Sequence, residues 1–487
     1  MSLQRASWVA FALAASIAAC NTSTSSDPGP WDDGVVIPNE APPPGNVKAG
    51  FQALVSNGYI SCGIPLDIFN SPAVRALLGS IAQMQALTDA DGKPLRTGKN
   101  ADMSYNWNVH TNDDGVDLVS PNCLQCHAEK INGQLVIGLG NVTSDYTGAA
   151  EGDGGANPFD SIDLDSIPGG DQLLKLFERQ TTIGPYTIMR TVGTNPAVVS
   201  TFALAAYKEP ETLAWLDEPA FPLPAVLFPT DVPPWWRTKK KSSHFHNGLS
   251  RGDHRGTMIL ASMVCTDTNE EAEEIMEYFD DLYAYVRSLE APVYPFEIDA
   301  TLAEQGEGIF LDNCSGCHGT YGASDDEDTY PNLIIPLDVI ETDPAFAGFD
   351  ENIAALEDWF EQTFFARYAT IVYNDPFRGY TAPPLDGIWA TAPFLHNGSV
   401  PTIEAVIDPS QRPVHWRRID FDSTNYDTER LGWPYESLTY GQAEASDEER
   451  RYIYDTSLIG HSNAGHTFGN HLSDAERTAL VEYLKTL

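Results

Sequence analysis

No methionine occurs after Met276 in a chain of 487 residues, so the last part of the chain has no thioether to offer a metal. Positive charge is scarce as well: 28 Lys and Arg stand against 69 Asp and Glu, for a formal net charge of −41. An acidic surface of this kind repels phosphate and excludes nucleic acid as a partner. It either steers a cationic redox partner or simply keeps the chain soluble. Beyond the first twenty residues no run reaches the roughly 18 apolar residues of a membrane-spanning helix. Membrane attachment, if any, is therefore through lipid. Cysteine is sparse too, with seven in all, yet four of them fall into two copies of one pattern.

Those copies are Cys123-Leu-Gln-Cys126-His127 and Cys314-Ser-Gly-Cys317-His318. Each reads C-x-x-C-H, the attachment signature of c-type haem. Two thiols one helical turn apart add to the two vinyl groups of one haem, and the adjacent histidine becomes the proximal iron ligand. A zinc site would want four N/S ligands close by, and a redox dithiol does not call for a histidine directly after it. Two covalent haems are expected, held by Cys123, Cys126, Cys314 and Cys317, with His127 and His318 on iron. The proteins that carry such haems are exported, and the chain opens accordingly. Arg5 precedes an apolar stretch from Ala6 to Ala19, too short to span a membrane. The ending Ile17-Ala18-Ala19-Cys20 resembles a bacterial lipobox, with acylation at Cys20. Asn21 resembles the Gram-negative sorting signal for the outer membrane. The expected location is the cell envelope, periplasmic or outer-membrane, anchored by lipid only.

Residues 1–20 are thus a lipoprotein signal and 21–48, rich in Ser, Thr, Pro and Gly, a flexible tether. Cys62 and Cys265 remain, either as a disulfide favoured by an oxidising compartment or as two buried free thiols. A helix is expected from Ser71, carrying Val74, Leu77, Leu78, Ile81 and Met84 on one face. Helical patterns return near 171–180 and 196–207. The acidic, glycine-rich stretch 143–171 reads as a surface loop, and 219–236, with its many prolines, as extended. Three capping boxes, Thr268 with Glu271, Thr301 with Glu304 and Ser473 with Glu476, open further helices. An internal repeat closes each half. Leu282-Tyr-Ala-Tyr285-Val286-Arg-Ser-Leu289 aligns without a gap on Leu480-Val-Glu-Tyr483-Leu484-Lys-Thr-Leu487, each roughly 170 residues after its own haem motif. The expected fold is mainly α with extensive loops. It would comprise two tandem elaborated class I cytochrome c-like modules, 49–295 and 296–487.

The sixth iron ligand separates an electron carrier from a haem that does chemistry. Without methionine, the second haem draws on His396, His415, His461, His466 and His471, and a bis-histidine site is the simplest outcome. For the first haem Met84, Met103, Met189, Met258, Met263, His110, His244, His246 and His254 are all eligible, and an open face is equally compatible. A basic and aromatic island, residues 233–256, interrupts the acidic chain. Trp235, Trp236 and the run Lys239-Lys240-Lys241 there suit a haem edge and its propionates, or a solvated loop over a Trp-anchored turn.

The run Ala382-Pro-Pro-Leu-Asp-Gly-Ile-Trp-Ala-Thr-Ala-Pro-Phe-Leu-His-Asn-Gly-Ser-Val-Pro-Thr402 resembles the di-haem cytochromes that include the bacterial rubber oxygenases. More distantly it is similar to the di-haem cytochrome c peroxidases. Gly58–Pro65, Gly138–Thr147 and Asn463-Ala-Gly-His466 resemble the same group. The resemblance implies an oxygen-reactive first haem and a bis-histidine second haem whose distal ligand lies near the C-terminus, a role that fits His466, with His396 as runner-up. His461 and His471 are then expected at the surface. It also implies a tryptophan between the haems, Trp235 or Trp236, and a distal phenylalanine between Phe245 and Leu249. A leucine at that place does not suit polyisoprene cleavage. Distal-side candidates are therefore Phe245, Leu249 and His254. Partners would be dioxygen or hydrogen peroxide, an unknown reduced substrate and a redox partner protein. The alternative is a pure electron carrier with both irons six-coordinate. If Cys20 carries the anchor, Cys20→Ala shifts the protein from the membrane to the soluble fraction of fractionated cells.

Overall fold

A computed structural model describes residues 30–487 apart from 39–40, 73, 75–84, 90 and 149–162. Cys20 and its signal, the start of the tether, the middle of the 143–171 loop and nearly all of the helix expected from Ser71, with Met84, lie outside the described residues. The structure is 35% helical and 15% strand, with four three-stranded sheets and one two-stranded sheet among the described residues. This corrects the expectation of a mainly α chain in two tandem cytochrome modules. No described helix is long and apolar enough to cross a membrane.

The physical reason for the departure is that the halves share cores and sheets. Strand Leu333–Pro336 sits between Gly379–Thr381 and Val35–Val36, so the stretch read as a tether contributes an edge strand, and Ile37 beside it is buried. Ser250–Gly252 pairs with Ala369–Ile371. The largest apolar cluster joins Phe202, Phe228, Leu249 and Met276 to Phe346, Phe349, Trp359 and Phe360. A second joins Ile131, Leu139 and Trp236 to Phe310, Trp389 and Leu480. Apolar faces that no half covers alone are covered by the other half.

The internal repeat survives as two helix pairs. Helix α1 (Val47–Ser56) packs on α2 (Phe279–Arg287), and α3 (Ala300–Asn313) packs on α4 (Asp474–Leu484). A Cβ on Gly50 would lie 1.9 Å from the Asp281 carbonyl oxygen, and one on Gly306 would lie 2.0 Å from that of Ala479. Asp281 and Ala479 are equivalent positions of the repeat. Aromatic pairs flank both crossings: Phe51 with Tyr285 at 5.4 Å and Phe310 with Tyr483 at 5.2 Å. Tyr285 and Tyr483 are equivalent as well.

Local signals explain the ends of these elements. Ser473 and Glu476 form a complete capping box, and the Thr268 side chain accepts from the Glu271 amide. Helix α3 instead starts one residue before Thr301, because Asp299 accepts from both Thr301 and Leu302 amides. The helix expected from Thr268 breaks at Glu277 into Asn269–Met276 and α2. Gly170–Ile183 and Ala197–Ala206 are helical. Cys62 and Cys265, both buried, form a disulfide across 203 residues, a closure that restricts the unfolded chain by on the order of 5 kcal/mol in the chain-entropy model.

Gly306→Ala would push α3 off α4 and is expected to cost about 3 kcal/mol in denaturant unfolding. On the same helix Gly308 has nothing within 4 Å, so Gly308→Ala is expected to stabilise by about 0.5–1 kcal/mol.

Candidate functional site

The second C-x-x-C-H motif follows directly from α3, which places Cys314, Cys317 and His318 in one short helical turn. The thiols are unpaired. Burial pushes Cys314 up to about 12 and Cys317 to about 11. That is the opposite of the lowered thiol pKa a redox dithiol needs. Nor do the cysteines share a cluster of ligand atoms: the described group of three that could hold an ion is Asp253, His254 and Asp280. A four-ligand zinc site does not fit, whereas thioether attachment does.

His318 donates its Nδ1–H to the Pro383 carbonyl at 2.8 Å. This fixes the ring and leaves Nε2 free for a metal. Facing it stands His466, with ring centroids 6.2 Å apart. Two imidazoles bound on opposite sides of one metal, at about 2 Å per bond, have centroids about 6 Å apart. Burial lowers the pKa of both, His466 to about 3 with the His318 ring as the next cause, so both rings are neutral and able to ligate.

The loop holding His466 is over-determined. His466 itself has φ +48° and follows Gly465 at +74°. A Cβ on Gly465 would strike the backbone of Glu341 and Thr342, and the His466 amide donates to the Ile340 carbonyl at 2.8 Å. Asn463 donates to the Pro413 carbonyl. Arg412 reaches in from below. Its guanidinium donates to the carbonyls of Ala405, Val406, Asn463, Gly465 and His466 at 2.6–3.2 Å. Nothing around Arg412 in the sequence marks it for this task.

Both histidines line a cavity of about 220 Å³ whose walls are largely apolar, among them Phe310, Ile335, Ile403, Val406, Leu480 and Leu484. Its charged lining comes from Asp231, Arg237 and Lys241. His396 lines the same cavity, stacked on Tyr380 with centroids 4.0 Å apart. Its other ring neighbour is His246, with centroids 6.5 Å apart. His461, expected at the surface, is buried, and its Nδ1–H donates to the Ile459 carbonyl. His471 is exposed and bonds Asn313.

The first motif follows a strand, Asp117–Pro121, and leads into a hairpin, Ala128–Ile131 with Gln134–Ile137. The hairpin turns at Asn132-Gly133, both at positive φ, a turn signal plain in the sequence and not used above. Its far end accepts the Trp235 amide through Gly138 and so lays Trp235 on the His127 ring at 4.7 Å and 23°. Burial pushes the Cys123 thiol up to about 12 and His127 down to about 4. Asn195 donates to the Cys126 sulfur at 3.4 Å. Cys123, Phe245 and Met258 pack against a cluster that contains Leu124, Leu249, Met263 and Tyr59.

His254 is drawn elsewhere. It stacks on Tyr283 at 3.8 Å, lies beside Asp253 and donates to the Phe279 carbonyl. The basic island divides: Lys239 pairs with Glu290, Lys240 with Asp328 and Asp386, and Lys241 faces the cavity.

Residues 379–417 match the RoxA-like, cytochrome c-like family model. The match covers the Pro383 carbonyl, His396 and Arg412, all of which serve the second site. It supports a haem redox protein with covalently bound c-type haem. Two uncharacterized proteins of Sinorhizobium fredii are similar. One, y4iJ, is 33% identical over 39% of this chain and 39% of its own length. The other, y4iM, is 30% identical over 42% of this chain and 52% of its own length. The chain spans about half or less of these relatives.

In the haem-loaded protein, Arg412→Ala removes the charged donor from five carbonyls, each such bond worth about 1.5–3 kcal/mol. A loosened His466 should appear as a high-spin fraction in the absorption spectrum. Arg412→Lys, a point charge in place of a fork, should restore only part of the low-spin signal.

Proposed function

We propose that the chain is an exported, lipid-anchored di-haem c-type cytochrome that oxidises a substrate with dioxygen or peroxide at the His127 site and passes electrons through a bis-histidine His318–His466 site. The observation that carries this reading is the asymmetry of the two motifs. At the second, His466 stands at metal-spanning distance from the proximal histidine. At the first, the ring partner of His127 is Trp235, and Cys123 packs against an apolar cluster with the Tyr59 and Tyr278 hydroxyls beside it. Haem bound there would supply one-electron chemistry and, with an open axial position, affinity for dioxygen or peroxide.

The chain's own residues supply the rest. Pro383 and Arg412 hold the two imidazoles of the second site and so limit reorganisation on electron transfer. Phe245, Leu249 and Met263 belong to the apolar cluster on which Cys123 packs, and an apolar surround favours a small apolar oxidant and an apolar substrate. Trp235 links the two sites: it stacks on His127 and belongs to the same turn as Arg237, which lines the second cavity. The acidic surface suits a cationic electron partner in the cell envelope.

A pure electron carrier is the second reading, favoured by Met258 and Met263 in the apolar cluster on which Cys123 packs. Visible and EPR spectra with and without carbon monoxide decide between them. The oxidase or oxygenase reading expects one high-spin iron that binds carbon monoxide; two low-spin irons indifferent to it would leave the carrier. His466→Ala should turn the other iron high-spin with both haems still attached, while His471→Ala changes neither spectrum. Unchanged spectra in His466→Ala would move the ligand to another residue, His396 being tested next.

A further inference from the structure

Two cations, Arg237 and Lys241, line the second cavity, and of these Arg237 also feels the Asp386 and Asp231 carboxylates. Arg237 is 6% exposed. Its Nε donates to the Asp386 carbonyl at 2.9 Å, but its buried Nη2 has no partner. Lys241 lines the same space, and among the described residues no carboxylate pairs with it. The nearest acid of the lining is Asp231, which makes no ion pair with either cation among the described residues. Burial pushes the Asp231 carboxyl well up toward its neutral form, the Arg237 charge opposing. Burial likewise pulls Lys241 down to about 8, with the Arg237 charge adding to the effect.

The requirement is for an anion with two carboxylates, presented from the apolar side of the cavity. A haem tethered at Cys314 and Cys317 through its vinyl edge carries two propionates on the opposite edge. The charged lining, Asp231, Arg237 and Lys241, comes from the one stretch 231–241, whereas Phe310, Ile335, Ile403, Val406, Leu480 and Leu484 give apolar walls. A haem combines the same two features, an apolar ring and charged carboxylates. His246 cannot share the load, since its Nε2–H is committed to the Asp231 carbonyl at 2.9 Å.

We propose that Arg237 and Lys241 are the carboxylate cradle of the second site, binding the propionates of its haem and raising its reduction potential. This rests on the haem reading above and adds to it which residues set the potential. The sign follows from charge. Reduction adds one electron to the iron, and ionised propionates oppose it; cations that neutralise them favour the reduced form, the more so in a low-dielectric wall. Arg237 lies two residues from Trp235 in the turn Trp235–Lys239, so one turn carries both a cradle residue and the ring on His127.

The test is a spectroelectrochemical titration of the full haem-loaded protein, with intact mass to count haems and EPR to record spin state. Arg237→Gln and Lys241→Gln should each lower one of the two midpoints by about 59 mV, a tenfold change in the reduced-to-oxidised ratio for one electron. The low-spin signal should stay, and Arg237→Lys should recover most of the drop. Both midpoints unchanged in both Gln variants, with two haems attached, would overturn the cradle while leaving the haem reading intact. Should Arg237→Gln fail to mature, Lys241→Gln decides alone by the same criterion. A wild-type chain with no haem mass on Cys314 and Cys317 would overturn both readings.

Discussion

Two neutral imidazoles held 6.2 Å apart in an apolar wall are the constraint on which the second site depends. Each ring gives up water to be there, and a loop at positive φ adds conformational cost. What offsets it is fixed geometry from three directions. Pro383 orients His318, the Ile340 carbonyl takes the His466 amide, and Arg412 gathers five carbonyls of the loop and the neighbouring helix. The helix crossing at Gly306 sets α3, and with it Cys314, against α4. His466, Cys314 and the closing helix are thereby tied together.

The first motif has a different support. It lies between a strand and a hairpin, and its histidine is covered by a tryptophan delivered from the basic island. The same island supplies Arg237 and Lys241 to the other cavity. One stretch of chain, 235–241, therefore contributes to both sites. Within that island Lys239 and Lys240 are held by carboxylates.

Sharing of cores explains why the chain is not two beads. The repeat preserves helix crossings down to equivalent carbonyls, Asp281 and Ala479, yet the apolar clusters run through both halves. Small sheets join residues hundreds of positions apart in the sequence, as in Val35–Val36 on Leu333–Ile334. Such pairings have no local signature: a two-residue strand is too short for alternation to register.

Spacing chemistry was legible in the sequence alone. C-x-x-C-H is a contiguous pattern dictated by one cofactor's bond lengths, the absence of methionine after Met276 is a count, and capping at Ser473 is a matter of three residues. The repeated closing helix could be read because its periodicity is local. Long-range geometry was decided only by the tertiary structure. It paired Cys62 with Cys265, buried His461 while leaving His471 exposed, turned His254 toward Asp253 and Tyr283, and set His466 opposite His318 with Arg412 behind it. It also separated Lys241 from Lys239 and Lys240, adjacent letters with opposite fates. A sequence records which groups are available, whereas burial and distance decide which of them meet, and those depend on contacts among segments that no local pattern encodes.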